Sequence, residues 1–146
     1  MVDAAKLHEI HPIHCYSPKG DTVSFKAIRN LLEKTAKDFG VPIAFCLEEI
    51  TSEDRGSLVI EDCLVVYHPK HRQDYYSVIF RIRRERESAF IQKNVYGRSL
   101  RFNPCDVFKN GSQDGDTMES TIEDAEYEAE KNYYRALQAI FKYHRC

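Results

Sequence analysis

The chain of 146 residues has no tryptophan, two methionines, six glycines and five prolines. It also has no apolar run near the roughly 18 residues that a bilayer-spanning helix needs. So little glycine and proline excludes collagen-like and low-complexity chains, and nine tyrosines with eight phenylalanines exclude a disordered one. Neither sign of charge dominates: 21 Lys and Arg stand against 23 Asp and Glu, a formal net charge of -2. No global field therefore draws the protein to nucleic acid or an anionic membrane, and any such partner must be met by a local patch. The five cysteines contain no CxxC pair, and Cys46 and Cys63 sit in apolar runs where a free thiol behaves as a small buried hydrophobe. The first residues lack the apolar stretch of a secretory leader. The expectation is a reduced, cytoplasmic protein with no membrane contact.

Catalytic motifs are missing as well. There is no GxSxG, no Walker loop and no dinucleotide fingerprint. Glu48-Glu49 and Glu61-Asp62 are adjacent carboxylates on predicted strands, so the members of each pair point to opposite faces and share no site. Cys63 and His68 lie on one run but five residues apart, again on opposite faces of a regular strand. No cofactor is called for, and an enzyme is disfavoured.

What is present is periodicity. Residues 1–20 carry no sustained period and are punctuated by Pro12, Pro18 and Gly20, so they read as an extended N-terminal arm with a short strand around 13–17. Residues 21–146 read as a single domain of α+β class. In "SFKAIRNLLEKTAKDFG", Phe25, Ile28, Leu32, Ala36 and Phe39 recur at helical spacing, with Ser24 as N-cap and Gly40 as the stop. "PIAFCLEEI", "LVIEDCLVVYH", "YYSVIFRIRR", "AFIQKNVY" and a short "SLRF" follow as strands separated by polar breaks. Their short connections predict an antiparallel meander of four to five strands, since parallel pairing needs long crossovers. A long amphipathic helix from about Met118 closes the chain, acidic early and basic late as its dipole favours.

Three residue groups are candidates for chemistry. "HEIHPIHCYSP" offers His11, His14 and Cys15 as zinc-type ligands, with His8, His68, His71, His144 or Cys146 to complete a set. Pro12 interrupts any helix there, and residues three apart in a strand point to opposite faces, so the stretch is read as metal-free. "NGSQDGD" begins like an EF-hand loop, but its twelfth position is Thr121, without the bidentate carboxylate. Arg81, Arg83 and Arg101 are candidate phosphate contacts on neighbouring strands, where Tyr75 and Tyr96 would stack single-stranded bases. Glu85 and Glu87 interrupt that patch, so nucleic acid is disfavoured as a partner.

Apolar supply remains to be explained. Two helices cover one sheet face, yet Val59, Val65, Tyr67, Tyr75 and Ile79 fall on the other, a candidate interface. The expectation is a small non-catalytic interaction module acting through protein contacts, a homodimer or a binder of another protein. The main alternative is a small-ligand binder or enzyme with its pocket between a curved sheet and the first helix, using Asp62, His68 or Tyr76. Single-stranded nucleic-acid binding through the Arg strand is the third.

Overall fold

The computed structural model describes residues 2–17, 24–85, 88–104 and 125–143, with the backbone alone described at Ala4, 8–17, Asp54, 84–85, 88–90 and 142–143. Ser24 is extended, and its hydroxyl accepts the Ala27 N–H at 3.1 Å, which starts helix α1, Phe25–Phe39. Ile28, Leu32 and Ala36 form its buried stripe. Gly40 ends it in the left-handed region (φ 71°), donating to the carbonyls of Ala36 and Lys37. The caps and the 28–32–36 stripe agree with the sequence signals, whereas Phe39 is exposed.

Strands β3 (Ala44–Asp54) and β4 (Ser57–Tyr67) form a long hairpin in unbroken register, from Ala44 opposite Tyr67 to Asp54 opposite Ser57. Its turn is Arg55 (φ 53°) and Gly56 (φ 81°), a two-residue loop whose positive dihedrals match the twist of the strands it joins. The polar break seen in the sequence thus contracts to two residues, and 51–54 belong to β3. Strand β5 (Ser77–Glu85) pairs with β4 over 64–66 against 78–80, and β6 (Ser88–Tyr96) pairs with β5 along its length.

The N-terminal segment supplies two further strands. Val2–Asp3 (β1) runs parallel to β3, and His8–Ser17 (β2) runs antiparallel to β6, giving the sheet order β1-β3-β4-β5-β6-β2. The register of β2 shifts between His8 and Ile13, the interval that holds Pro12. A residue without an N–H is tolerated at such an irregularity on an edge strand. One short segment therefore touches β3 and β6. Flat, β1 and β2 would lie about 24 Å apart, five strand spacings. Residues 3 to 8, with a 3₁₀ turn at Ala4–Lys6, reach only about 13 Å. The sheet must curl, and the segment crosses its inner face.

Each face has its own apolar cluster. On the outer face Leu64, Val66, Val78, Phe80 and Val95 pack under α1 and under α2 (Ala125–Tyr143), which contributes Tyr133, Tyr134, Leu137 and Ile140. On the inner face Ile50, Cys63, Val65 and Ile79 pack with Val2, and Leu7, Cys46, Tyr67 and Tyr96 border them. The fold is α+β with a sheet that is antiparallel but for one pair, framed by an N-terminal and a long C-terminal helix. The last short strand departs from the sequence reading. "SLRF" is a loop, because the Ser99 hydroxyl accepts the backbone N–H groups of Arg101 and Phe102 (3.1 and 3.2 Å) and folds them into a turn. The last helix is described from Ala125, and 118–124 lie outside the described residues, as does the calcium-like loop. No helix among the described residues is long and apolar enough to cross a membrane.

Candidate interaction surface

The five residues named as an interface do not form one surface. Val65 and Ile79 face each other across β4 and β5, on the inner face, and are 3% and 0% exposed. Tyr67 borders the same cluster. Tyr75 precedes β5 and packs on the opposite side, against Tyr133 and Tyr134 of α2. Val59 lies further along β4 and is 37% exposed. The apolar supply of the second face is thus taken up within the chain, by the strap that carries Val2 and Leu7.

The three arginines do not converge either. Arg81 is buried on the inner face, donating to Asn94 Oδ1 at 3.0 Å, while its Nε has no hydrogen-bond partner. Burial holds its guanidinium below the usual arginine range, with the neighbouring Arg83 adding to the effect. Arg83 grips Glu61 with Nη1 at 2.7 and 2.9 Å and reaches Gln92 with Nε at 3.2 Å. Arg101 bonds Glu126 and Glu130 of α2, beyond the outer face. His11, His14 and Cys15 sit on the edge strand β2 with side chains outside the described residues, and His144 and Cys146 lie outside as well. Among the described residues no group of three or more His, Cys, Asp or Glu could hold a metal ion. Burial, then the Glu48 carboxylate, pushes the Cys63 thiol up to about 11, so it is protonated and a poor nucleophile.

A polar and aromatic cluster that periodicity did not reveal joins the start of β5 to α2. His71 stacks on Tyr75 with ring centres 4.0 Å apart, and its Nδ1 meets Asp74 at 3.2 Å. His68 packs edge-on to His71, Tyr75 and Tyr133, and its Nδ1 accepts the Lys70 N–H at 3.0 Å. Below them Glu130, 0% exposed, accepts from Ser99 Oγ and the Tyr134 hydroxyl at 2.5 Å and from Arg101 at 3.3 Å. The Tyr134 hydroxyl also accepts the Tyr76 N–H at 2.9 Å, and the Tyr76 hydroxyl donates to the Phe102 carbonyl at 2.7 Å. These polar atoms are engaged in tying β5, the 98–104 loop and α2 together, which is structural work.

His68 gives this cluster a pH dependence. Burial, then the neighbouring His71 and Lys70, hold it below the ordinary 6.5, and its Nδ1 is already occupied as an acceptor. A base with a depressed folded pKa is neutral in the fold, so its contribution is complete above the unfolded value and declines as pH falls through about 6.5. His68→Asn should therefore lose less melting temperature than wild type between pH 7.5 and 5.5. Equal losses in thermal scans would remove His68 from the acid response.

Besides Leu31 and Phe39 of α1 and Leu100, exposed apolar side chains gather on the outer face of the β3–β4 hairpin. There Leu47, Leu58 and Ile60 are 64%, 67% and 50% exposed. Alternation places them on the same face as Leu64 and Phe45, beyond the part that the helices cover. Glu49 and Asp62 are direct cross-strand partners on this face, both exposed, and Glu53 lies opposite Leu58. None of the three has an ion pair among the described residues, whereas Glu61 and Glu48 on the inner face hold Arg83 and Arg72. Beside Asp62 a cleft of about 280 Å³ opens, lined by Ser24, Phe25, Glu61, Asp62 and Ile82. Comparison with protein-family models, curated proteins and solved structures finds no match to this chain.

Proposed function

We propose that the protein is a non-catalytic interaction module working through contacts between the outer face of its β3–β4 hairpin and another protein. The exposure of Leu58 and Ile60 at alternate positions of β4, with Leu47 on the same face across the Glu49–Asp62 pair, carries this reading. Exposed apolar side chains on a hairpin invite aggregation, and a partner that covers them is the reason to retain them. A homodimer through Val65, Tyr67 and Ile79 has lost its motive, because Val2 and Leu7 occupy that face. The ligand-pocket alternative is weaker. Of Asp62, His68 and Tyr76, only Asp62 lines the cleft between the sheet and α1, while His68 and Tyr76 are engaged beside α2. Arginine clamping of nucleic acid is weaker still, with Arg81 and Arg83 on the inner face and Arg101 held by α2.

The test is photo-crosslinking in the native host. Benzoylphenylalanine at position 58 or 60 should give a reproducible adduct with one protein, and the same group at position 135 on α2 should not. Purified protein should scatter light as a 17 kDa particle at micromolar concentration. No adduct from either hairpin position, or a 34 kDa particle with adducts only to itself, would defeat the reading.

A further inference from the structure

Resting on that reading, the chemistry of the hairpin face also specifies what kind of segment it receives. Glu49 and Asp62 are like charges directly opposite each other on neighbouring strands, an arrangement that destabilises a sheet. Apolar side chains flank the pair: Leu47 opposite Leu64 on one side, Ile60 opposite Thr51 on the other. The hairpin as a whole, 44–67, carries six carboxylates (Glu48, Glu49, Glu53, Asp54, Glu61 and Asp62) and a single cationic residue, Arg55 at the turn. Glu49, Glu53 and Asp62 have no ion pair among the described residues. The face is therefore apolar and acidic together, and what covers it must bring apolar side chains and positive charge.

A second copy does not meet that requirement. In a two-fold contact the same patch meets itself, so this face would set carboxylate against carboxylate. A bare metal ion does not meet it either, since it brings no cover for Leu58 and Ile60. The cleft beside Asp62 suits the extended side chain of arginine. Phe25 and Ile82 offer apolar wall for the stem, and the Asp62 carboxylate, with Glu49 opposite it, stands at hand for a planar fork of donors, Glu61 being held by Arg83. Leu58, Ile60 and Asp62 succeed one another at alternate positions of one strand, so an extended segment laid along β4 presents matching groups at its own alternate positions.

We propose that the outer face of the β3–β4 hairpin is the docking site for an extended segment of a partner protein in which two apolar residues and an arginine alternate, the arginine entering the cleft beside Asp62.

The probe is the peptide Arg-Ser-Leu-Ser-Leu-Ser-Arg, titrated into the ¹⁵N-labelled full chain and followed by amide shifts. Saturable shifts confined to 47–62 and the start of α1 are expected, with affinity reduced at least tenfold by Glu49→Gln with Asp62→Asn. Replacing both peptide arginines by glutamate, or both leucines by serine, should abolish binding. The double variant removes only the like-charge pair, so it should melt about 2 °C higher, which separates lost binding from lost fold. Equal binding of the glutamate peptide, or unchanged binding by the double variant, overturns the arginine assignment. Equal binding of the leucine-free peptide shows charge attraction alone and overturns the docking face. Shifts at 49 and 62 with calcium chloride alone would give the pair to a cation, and concentration-dependent shifts without peptide would give the face to a second copy. If the peptide fails while position 58 still crosslinks to a partner, the partner's chemistry is wrong and the interaction module stands. If both fail, both fall.

Discussion

Truncating Ile79 to alanine is expected to lower the stability of the isolated protein by about 3–4 kcal/mol, while Val59→Ala costs less than about 1 kcal/mol. Both residues are apolar and share one face of the sheet by alternation, so a flat, exposed face would treat them alike. Curl separates them. Ile79 is fully enclosed, with Val65 opposite it and Ile50, Cys63 and Val2 in its cluster, so removing three carbons leaves a void that its neighbours only partly fill. Val59 is partly open to water and creates no cavity when shortened. Urea unfolding followed by circular dichroism measures both. Near-equal losses, or a small loss at Ile79, would mean that the inner face is not a core.

That contrast also marks where sequence stops being informative. The strand "LVIEDCLVVY" is apolar on both alternating sets, which correctly signals cover on both faces, and Cys63–Val66 are all buried. What supplies the cover on the inner side is invisible to periodicity. Val2 and Leu7 are single apolar residues in a segment without a period, and they reach the sheet only because a 3₁₀ turn carries the chain across a curled surface. Curl itself follows from long-range closure between β1 and β2, which no local window contains. The helices were legible because their information is local. Ser24, the 28–32–36 stripe and Gly40 lie within 17 positions and are read directly by the backbone.

The candidate surface was missed for a related reason. Leu58 and Ile60 alternate like core residues, and only the placement of the helices shows that this stretch of β4 outruns its cover. Arg83 and Arg101 looked like unattached cations because their carboxylates, Glu61 and Glu130, stand 22 and 29 positions away in sequence. The Glu49–Asp62 opposition depends on hairpin register, which follows once the turn is known to be Arg55–Gly56 and nothing longer. With the turn placed, the pair could have been found from sequence.

The largest polar effect is expected at Glu130. Replacing it with alanine should cost about 3–5 kcal/mol, which for a chain of this size moves the melting temperature by roughly 10 °C or more. Its carboxylate is fully buried and collects donors from Ser99, Tyr134 and Arg101, so it draws the 98–104 loop and α2 onto one point. Alanine leaves Arg101 without its better-buried anion and the Tyr134 hydroxyl without the acceptor for its proton, and each loss costs more than the bond itself contributed. Glu126→Ala is the internal control, since that carboxylate also meets Arg101 but is largely exposed, and its removal should cost less than about 1 kcal/mol. Glu130→Gln keeps one acceptor oxygen and should fall between the two. Chemical denaturation orders the three variants. If Glu130→Ala proves no worse than Glu126→Ala, the carboxylate is a bystander, and α2 is held to the sheet by its tyrosines and its aliphatic stripe alone.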